Sequence, residues 1–261
     1  MAKYEVIGLM SGSSLDGLDI CFVEFKENNS LWSFEIKAAK CFSYDENFQQ
    51  ELRNIPSGTA LQLAEMHTKF SRLNAKLTTQ FMDEFPLSKN ASLIVSHGQT
   101  IFHQPEKSFT TQIGCGATLS ALTGKTVVCD LRTYDVALSG QGAPLVPFGE
   151  KYLFQDCNSF LNIGGICNIS THHLDRIAAY DVCPGNTLLN LLALQEGKNF
   201  DDDGIIAKRG QVNTELLNQL SEIEYYKKST PKSLGTEHLM NDWLNLIESF
   251  QISTADAMAT V

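Results

Sequence analysis

The chain has 261 residues, 43% of them hydrophobic and 19% charged, which reads as soluble and globular and long enough for one large domain or two ordinary ones. Its net charge of -10 excludes duplex nucleic acid as a natural partner, because phosphate-backbone binding needs an excess of Lys and Arg; a local basic spot for a small phosphorylated ligand stays open. The seven cysteines are odd in number and contain no C-x-x-C, so they read as small buried apolar residues of a reducing compartment rather than a disulfide framework.

Residues 4–10 form an apolar, strand-like run, and a Gly/Ser/Asp turn follows over 11–19. Further strands are expected at 20–25 and 33–43, which makes the start an antiparallel meander. Thr59 and Gln62 fit a capping box, and Leu63, Met66, Phe70, Leu73, Leu77 and Phe81 follow at helical spacing, so a helix is expected to run to about Pro86. A short buried strand at 93–95 stops at Ser96, a helix is expected over 116–122, and another strand over 126–129. The first half thus reads β-β-β-α-β-α-β.

The second half restarts in a similar way. Strands are expected at 160–163 and 166–169 around a Gly164-Gly165 turn, with a third at 177–180 ending on Asp181. Helices are expected at 186–195, 214–226 and 237–249. Two matched halves, each opening on a hairpin with a Gly-bearing turn, suggest two related lobes, and the Gly/Pro-rich stretch 138–147 marks their junction. Residues 253–261 read as a helix start capped by Ser253 or Thr254, with no stop signal after it; so short a helix is marginal alone, and the chain is expected to be a fragment of a longer one. The N-terminus carries no signal-peptide pattern, and no apolar run approaches the ~18 residues of a membrane helix, so a cytoplasmic location without membrane contact is expected.

Several positions are suited to chemistry. In the first turn Gly12 and Gly17 free the backbone to aim N–H groups at an anion, while Ser11, Ser13 and Ser14 add hydroxyl donors. Asp16 and Asp19 fit a phosphate there only with a divalent cation between them. The alternative is a hairpin turn with solvated Ser and Asp. Asn162, Gly164, Gly165 and Asn168 repeat this logic in the second half, against the alternative of a plain Gly-Gly hairpin. Asp181 stands at a strand end ahead of Pro184-Gly185, where a carboxylate can act as a general base or can simply satisfy turn N–H groups. His97 and Gln99 are placed to hydrogen-bond a sugar, and Arg132 to grip a carboxylate, against local roles as a turn histidine and an Asp130–Arg132 ion pair. Gly124-Lys125 imitates a P-loop end, but Leu119 stands where that motif needs glycine, and neither H-E-x-x-H nor paired C-x-x-C supports zinc.

Six blocks in order resemble the anhydro-N-acetylmuramic acid kinases. They are residues 8–17 (GLMSGSSLDG), 96–100 (SHGQT), 140–147 (GQGAPLVP), 162–168 (NIGGICN), 181–186 (DVCPGN) and 231–235 (PKSLG). The resemblance implies an α/β, two-lobed actin-like (ribonuclease H-like) ATPase fold, with mixed sheets, flanking helices and an incomplete second lobe. The lobes would be 1–139 and 140–261, the latter lacking the family's C-terminal portion. It implies a cytoplasmic kinase of cell-wall recycling that converts 1,6-anhydro-N-acetylmuramic acid, ATP and water to N-acetylmuramic acid 6-phosphate and ADP, with Mg2+ beside the ATP and a homodimeric assembly. On the matching positions Asp181 is the base. Gly12, Ser13, Ser14, Leu15, Asp16, Gly17, Leu18 and Asp19 line the ATP phosphates, with Gly164, Gly165 and Asn168 as the second phosphate loop. His97, Gln99, Asp130, Arg132, Gln141 and Pro144 lie on the sugar side, and the metal ligands are not specified. Val182-Cys183, Cys115 and Thr236 depart from the family's Thr-Gly, acidic residue and Arg. Other readings are a truncated, non-catalytic nucleotide- or sugar-binding relative and an actin- or Hsp70-like ATPase.

Overall fold

The computed structural model describes residues 2–12, 14–173, 176–230, 232–234 and 239–261. Contacts divide the chain into two compact units, Met1–Leu153 and Phe154–Val261.

The first unit is built on a five-stranded sheet. Strands β1 (Ala2–Met10), β2 (Gly17–Asn28) and β3 (Leu31–Ser43) form the antiparallel meander, and β4 (Leu93–Ser96) and β7 (Thr126–Val128) add parallel to β1, in the order β3-β2-β1-β4-β7. Antiparallel strands leading into parallel ones, with helices packed on the sheet, give the mixed α/β lobe of the ribonuclease H-like fold. Helix α1 (Glu46–Asn54) starts at Asp45, whose carboxylate accepts the Phe48 N–H. Helix α2 (Ala60–Glu84) carries the expected capping box at Thr59 and Gln62 and ends one residue before Phe85. Its Met66, Phe70 and Phe81 are buried with Ile7, Ile20, Phe22 and Ile94 of the sheet, while Leu63, Leu73 and Leu77 pack at the margin. Ser71, Asn74 and Thr78 are buried as well; the Ser71 and Thr78 hydroxyls donate to carbonyls one turn back in their own helix, which makes that burial tolerable.

Helix α3 (Gly116–Thr123) ends at Gly124 in the left-handed conformation, and Lys125 donates to the carbonyls of Lys89 and Ala91. The apparent P-loop fragment is therefore a helix stop followed by a structural lysine. Five α-helices and strands of this unit have no counterpart in the sequence reading: α1, the hairpin strands β5 (Gln99–Gln104) and β6 (Phe109–Ile113), and the short helices α4 (Thr133–Ala137) and α5 (Val146–Leu153). Helix α5 packs against β3, so residues 140–153 belong with the first compact unit.

The second unit contains a three-stranded antiparallel sheet, β8 (Ser159–Ile163), β9 (Ile166–His173) and β10 (Arg176–Pro184), in the order β10-β9-β8. Helix α6 (Asn186–Leu194) buries Leu188 and Leu192 in a core with Leu216, Tyr225, Trp243, Ile247 and Met258. The helix expected over 214–226 is two helices, α7 (Thr214–Ser221) and α8 (Glu224–Lys227), because Ile223 between them is extended, with φ -55° and ψ 132°. In the segment expected as a helix over 237–249, a π-helical turn at Leu239–Leu244 leads into an α-helical turn at Asn245–Ser249; residues 237 and 238 lie outside the described residues. The closing helix Thr254–Thr260 is capped by Ser253, whose hydroxyl accepts the Asp256 N–H.

Candidate active site

The turn between β1 and β2 is shaped by close approach. A Cβ on Gly17 would lie 2.5 Å from the Phe42 carbonyl oxygen, so the strand pairing there requires glycine. Leu15 takes a positive φ of 59°, its N–H donating to Gly12 O, and Ser14 Oγ donates to Asp16 Oδ1 at 2.7 Å. Asp16 and Asp19 are exposed, whereas the Leu18 side chain is buried in the core and its backbone pairs with Phe42 of β3. Ser13 lies outside the described residues.

Ser11, expected as a further phosphate donor, has another role. It is 2% exposed, donates to Gln99 Oε1 at 2.7 Å and accepts from the Tyr44 hydroxyl at 3.0 Å. Burial pushes the Tyr44 phenol up to about 12, partly offset by its bond to Ser11. The Ser11–Gln99–Tyr44 chain ties the end of β1 to the start of β5 and to the residue ahead of α1.

His97 sits just beyond β4, and both of its ring nitrogens are engaged. Nε2 accepts from Arg132 Nε at 2.9 Å, which leaves the proton on Nδ1 to donate to Gly98 O at 2.9 Å. Burial first, and the Arg132 charge second, hold His97 below the ordinary histidine range, so the ring is neutral. Arg132 also donates through Nη1 to Gly142 O at 2.6 Å. The Asp130–Arg132 ion pair weighed from sequence is not among these contacts: Asp130 instead accepts from the Thr133 hydroxyl at 2.5 Å, its backbone at φ 62°.

The glycine-rich segment 140–147 is held from the opposite side by Asp135. The Gly142 N–H donates to Asp135 Oδ2 at 2.6 Å, and the Asp135 carboxylate fills the space where a Gly140 Cβ would stand. Gln141 is exposed, and Pro144 follows a cis peptide bond. His97 therefore lines two clefts. One, of about 490 Å3, is bordered by Met10, Asp19, Lys40, Cys41 and Leu131. The other, of about 420 Å3, is bordered by His67, Gln112, Cys115, Asp130 and Thr133. Both volumes suit a small ligand.

In the second unit, strand register brings together residues that are far apart in sequence. Asn162 pairs with Asn168, and Asn168 with Asp181, so all three side chains lie in one row on one face of the sheet. The register then shifts between Asp181 and Cys183, which makes Val182 the extra residue of a β-bulge. The bulge leaves Asp181 on the asparagine face and sets Cys183 opposite Cys167 on the other. Gly164 and Gly165 form the loop between β8 and β9, and their carbonyls accept from Gly185, Asn186 and Thr187 at 2.9–3.1 Å. The start of α6 is thus satisfied by this loop, and a Cβ on Gly185 would lie 2.4 Å from Gly164 O.

Asp181 is half-buried. Burial raises its carboxyl above the ordinary aspartate range, and the Leu234 N–H, donating to Oδ2 at 2.9 Å, opposes that rise. Its backbone N–H donates to Lys232 O at 3.0 Å, and its carbonyl accepts from the Tyr225 hydroxyl at 2.7 Å. Tyr44, Asp135, Tyr225 and Lys232 were not singled out in the sequence. Lys232 alone carried a signal, as part of a family-like block. Pro231, Gly235 and Thr236 of that region lie outside the described residues. Among the described residues no cluster of three or more His, Cys, Asp or Glu could hold a metal.

A family model for anhydro-N-acetylmuramic acid kinase matches residues 4–261. The anhydro-N-acetylmuramic acid kinase of Caldanaerobacter subterraneus subsp. tengcongensis is 36% identical over 282 residues, covering 98% of this chain and 71% of its own length. That of Aliivibrio fischeri is 37% identical over 273 residues, covering 100% of this chain and 73% of its own. The solved structure of the ethanolamine utilization protein EutJ from Carboxydothermus hydrogenoformans covers 96% of this chain and 69% of its own, at 13% identity and a TM-score of 0.29, which carries no fold argument.

Proposed function

The chain belongs to the anhydro-N-acetylmuramic acid kinase family, and on that premise we propose how its residues divide the reaction. The protein is an ATP-dependent sugar kinase of amino-sugar metabolism and peptidoglycan recycling, converting 1,6-anhydro-N-acetylmuramic acid, ATP and water to N-acetylmuramic acid 6-phosphate and ADP.

Asp181 is the general base. It takes a proton from water as the water oxygen bonds to the anomeric carbon. The bond from that carbon to O6 breaks, and O6 takes the γ-phosphoryl group as ADP leaves. One observation carries this reading: a half-buried carboxylate beside a bulge, raised by burial toward the range of a working base and oriented by the Leu234 N–H. Backbone N–H groups of the loop from Gly12 to Asp19, with Gly164, Gly165 and Asn168, receive the ATP phosphates. Arg132, held by His97 and Gly142, takes the carboxylate of the muramic acid, with Gln99, Asp130, Gln141 and Pro144 on the same side.

Magnesium commonly takes only one or two protein carboxylates, its other ligands being phosphates and water. The exposed pair Asp16 and Asp19 fits that demand. A bound ion there would offset phosphate charge. By family motif order the lobes are 1–139 and 140–261, although residues 140–153 pack with the first compact unit. A cytoplasmic homodimer completes the reading; no helix among the described residues is long and apolar enough to cross a membrane. Light scattering tests the dimer. Asp181→Asn tests the base: phosphorylation of the anhydro sugar, followed by mass spectrometry, should vanish while ATP affinity stays within a fewfold of wild type. Retained turnover removes Asp181 from the role.

A further inference from the structure

We propose that Lys232 and Tyr225 are positioning residues of this kinase: from one short segment they fix both the backbone and the carboxylate of Asp181. The proposal rests on the reading of Asp181 as the base. Strand β10 is an edge of its sheet, so among the described residues no further strand pairs with Asp181 on that side. Residues 225–230 and 232–234 fill that place. Lys232 O accepts the Asp181 N–H at 3.0 Å, the Tyr225 hydroxyl donates to the Asp181 carbonyl at 2.7 Å, and two residues beyond Lys232 the Leu234 N–H donates to Asp181 Oδ2 at 2.9 Å. Main-chain donor, main-chain acceptor and side chain are each held from the same side.

The Lys232 ammonium closes this cradle. It donates to the carbonyls of Tyr225 at 3.0 Å and Tyr226 at 3.3 Å, in the last turn of α8, and lies 4.6 Å from the centroid of the Tyr225 ring. Cations stabilise the free carbonyls at a helix end and the face of an aromatic ring, so the one charge pins the strap to α8 and sets the ring whose hydroxyl reaches Asp181. Tyr225 is 1% exposed, which leaves its ring no freedom to follow a displaced strap. The only N–H among the described residues that donates to the Asp181 carboxylate thus depends on a lysine that does not touch it. Tyr225 and Lys232 are the titratable groups that the cradle sets about Asp181, Cys183 lying on the reverse face of the sheet; burial raises the Tyr225 phenol, so it does not change charge on the acid side of neutrality.

The test is the pH dependence of kcat in the full chain, with ATP and 1,6-anhydro-N-acetylmuramic acid. Lys232→Met frees the strap and withdraws the Leu234 N–H from the carboxylate. Expected are a kcat lowered about 10-fold or more, KM for both substrates within about twofold, and an acid limb moved to higher pH, because the N–H that favours the ionised form is gone. Lys232→Arg can still donate to both carbonyls and should recover most of kcat. Tyr225→Phe removes only the hydroxyl and should lower kcat about 3- to 10-fold with an unchanged melting curve. A Lys232→Met kcat within twofold of wild type, a lowered kcat with an unmoved acid limb, or an effect confined to KM overturns the proposal. If Lys232→Met does not fold, Tyr225→Phe decides alone, and a kcat within twofold of wild type overturns it. Turnover in Asp181→Asn refutes the base itself; an inactive Asp181→Asn beside normal Lys232 and Tyr225 variants refutes only their positioning role.

Discussion

Replacing Ser11 by alanine should cost the first unit about 2–4 kcal/mol, far more than a solvated turn serine would. Ser11 is 2% exposed; its hydroxyl both donates to Gln99 Oε1, on a residue 2% exposed, and accepts from Tyr44, 5% exposed. Removing one small group therefore strands two buried polar atoms. Each unmade bond of that kind costs roughly 1–3 kcal/mol, less whatever relaxation the end of β1 allows. Urea unfolding read through amide exchange of peptides spanning 2–10 and 93–99 isolates this unit from the other. A second substitution separates the mechanism from simple loss of packing. Tyr44→Phe should destabilise the wild type, yet in the Ser11→Ala background it removes one stranded donor and should return about 1 kcal/mol. Two results would refute the reasoning: a Ser11→Ala variant within about 0.5 kcal/mol of wild type, or singles that simply add in the double variant.

Gly185→Ala should lower the stability of the second unit and raise KM for ATP, because its Cβ would meet Gly164 O at 2.4 Å and Cys167 Sγ at 2.9 Å. Moving the loop away loosens three backbone hydrogen bonds at about 1 kcal/mol each; unchanged denaturation and kinetics would contradict this. The folded pKa of His97 lies below its unfolded value, so the unfolded chain binds more protons and stability rises with pH. That contribution is complete above the ordinary histidine range, about 6.5, and is lost as pH falls from there through the folded pKa. First-unit stability should accordingly decline on acidification below about pH 6.5, and His97→Gln should flatten that slope. Asp181 carries the opposite sign: its folded pKa is raised, so its contribution holds at low pH and is lost as pH rises through that value. At neutral pH the ionised carboxylate is a net cost, and Asp181→Asn, which keeps an acceptor for Leu234 N–H, should unfold at an equal or higher urea concentration. A lower midpoint would sink that account.

The meander, the long helix and both glycine turns were legible because each announces itself locally, through apolar spacing, a capping box or paired glycines. Helix α1 was missed because only Phe48 and Leu52 of its nine residues are buried. Hairpin β5–β6 was missed because a run with His103 and Gln104 carries no strand alternation, and its partner lies beyond a turn of 3-10 helix. On α2 the apolar stripe located the right face but not its centre, since Ser71 and Thr78 are buried through bonding that hydropathy does not register. The candidate site divides in the same way. Asp181 was visible as a carboxylate ahead of Pro184-Gly185, but the strand expected to end on it runs on through the bulge to Pro184. What holds Asp181 was not visible, because Tyr225 and Lys232 are 44 or more residues downstream and act through backbone carbonyls and a phenol.

Two departures from the family pattern can be placed physically. Cys115, at a position where an acidic residue is common, still caps α3, its sulfur accepting the Thr118 N–H at 3.5 Å, a weaker form of what a carboxylate does at a helix start. Cys183 follows the proposed base by two residues, which on a regular strand would put both side chains on one face. The bulge at Val182 breaks that alternation. Asp181 keeps register with Asn168, and Cys183 pairs with Cys167 on the reverse of the sheet, where it borders a cleft with Tyr226 and Trp243. A family-foreign side chain two residues from the base is therefore directed away from the carboxylate. That is why Val182-Cys183 can replace Thr-Gly while the asparagine row beside Asp181 is undisturbed.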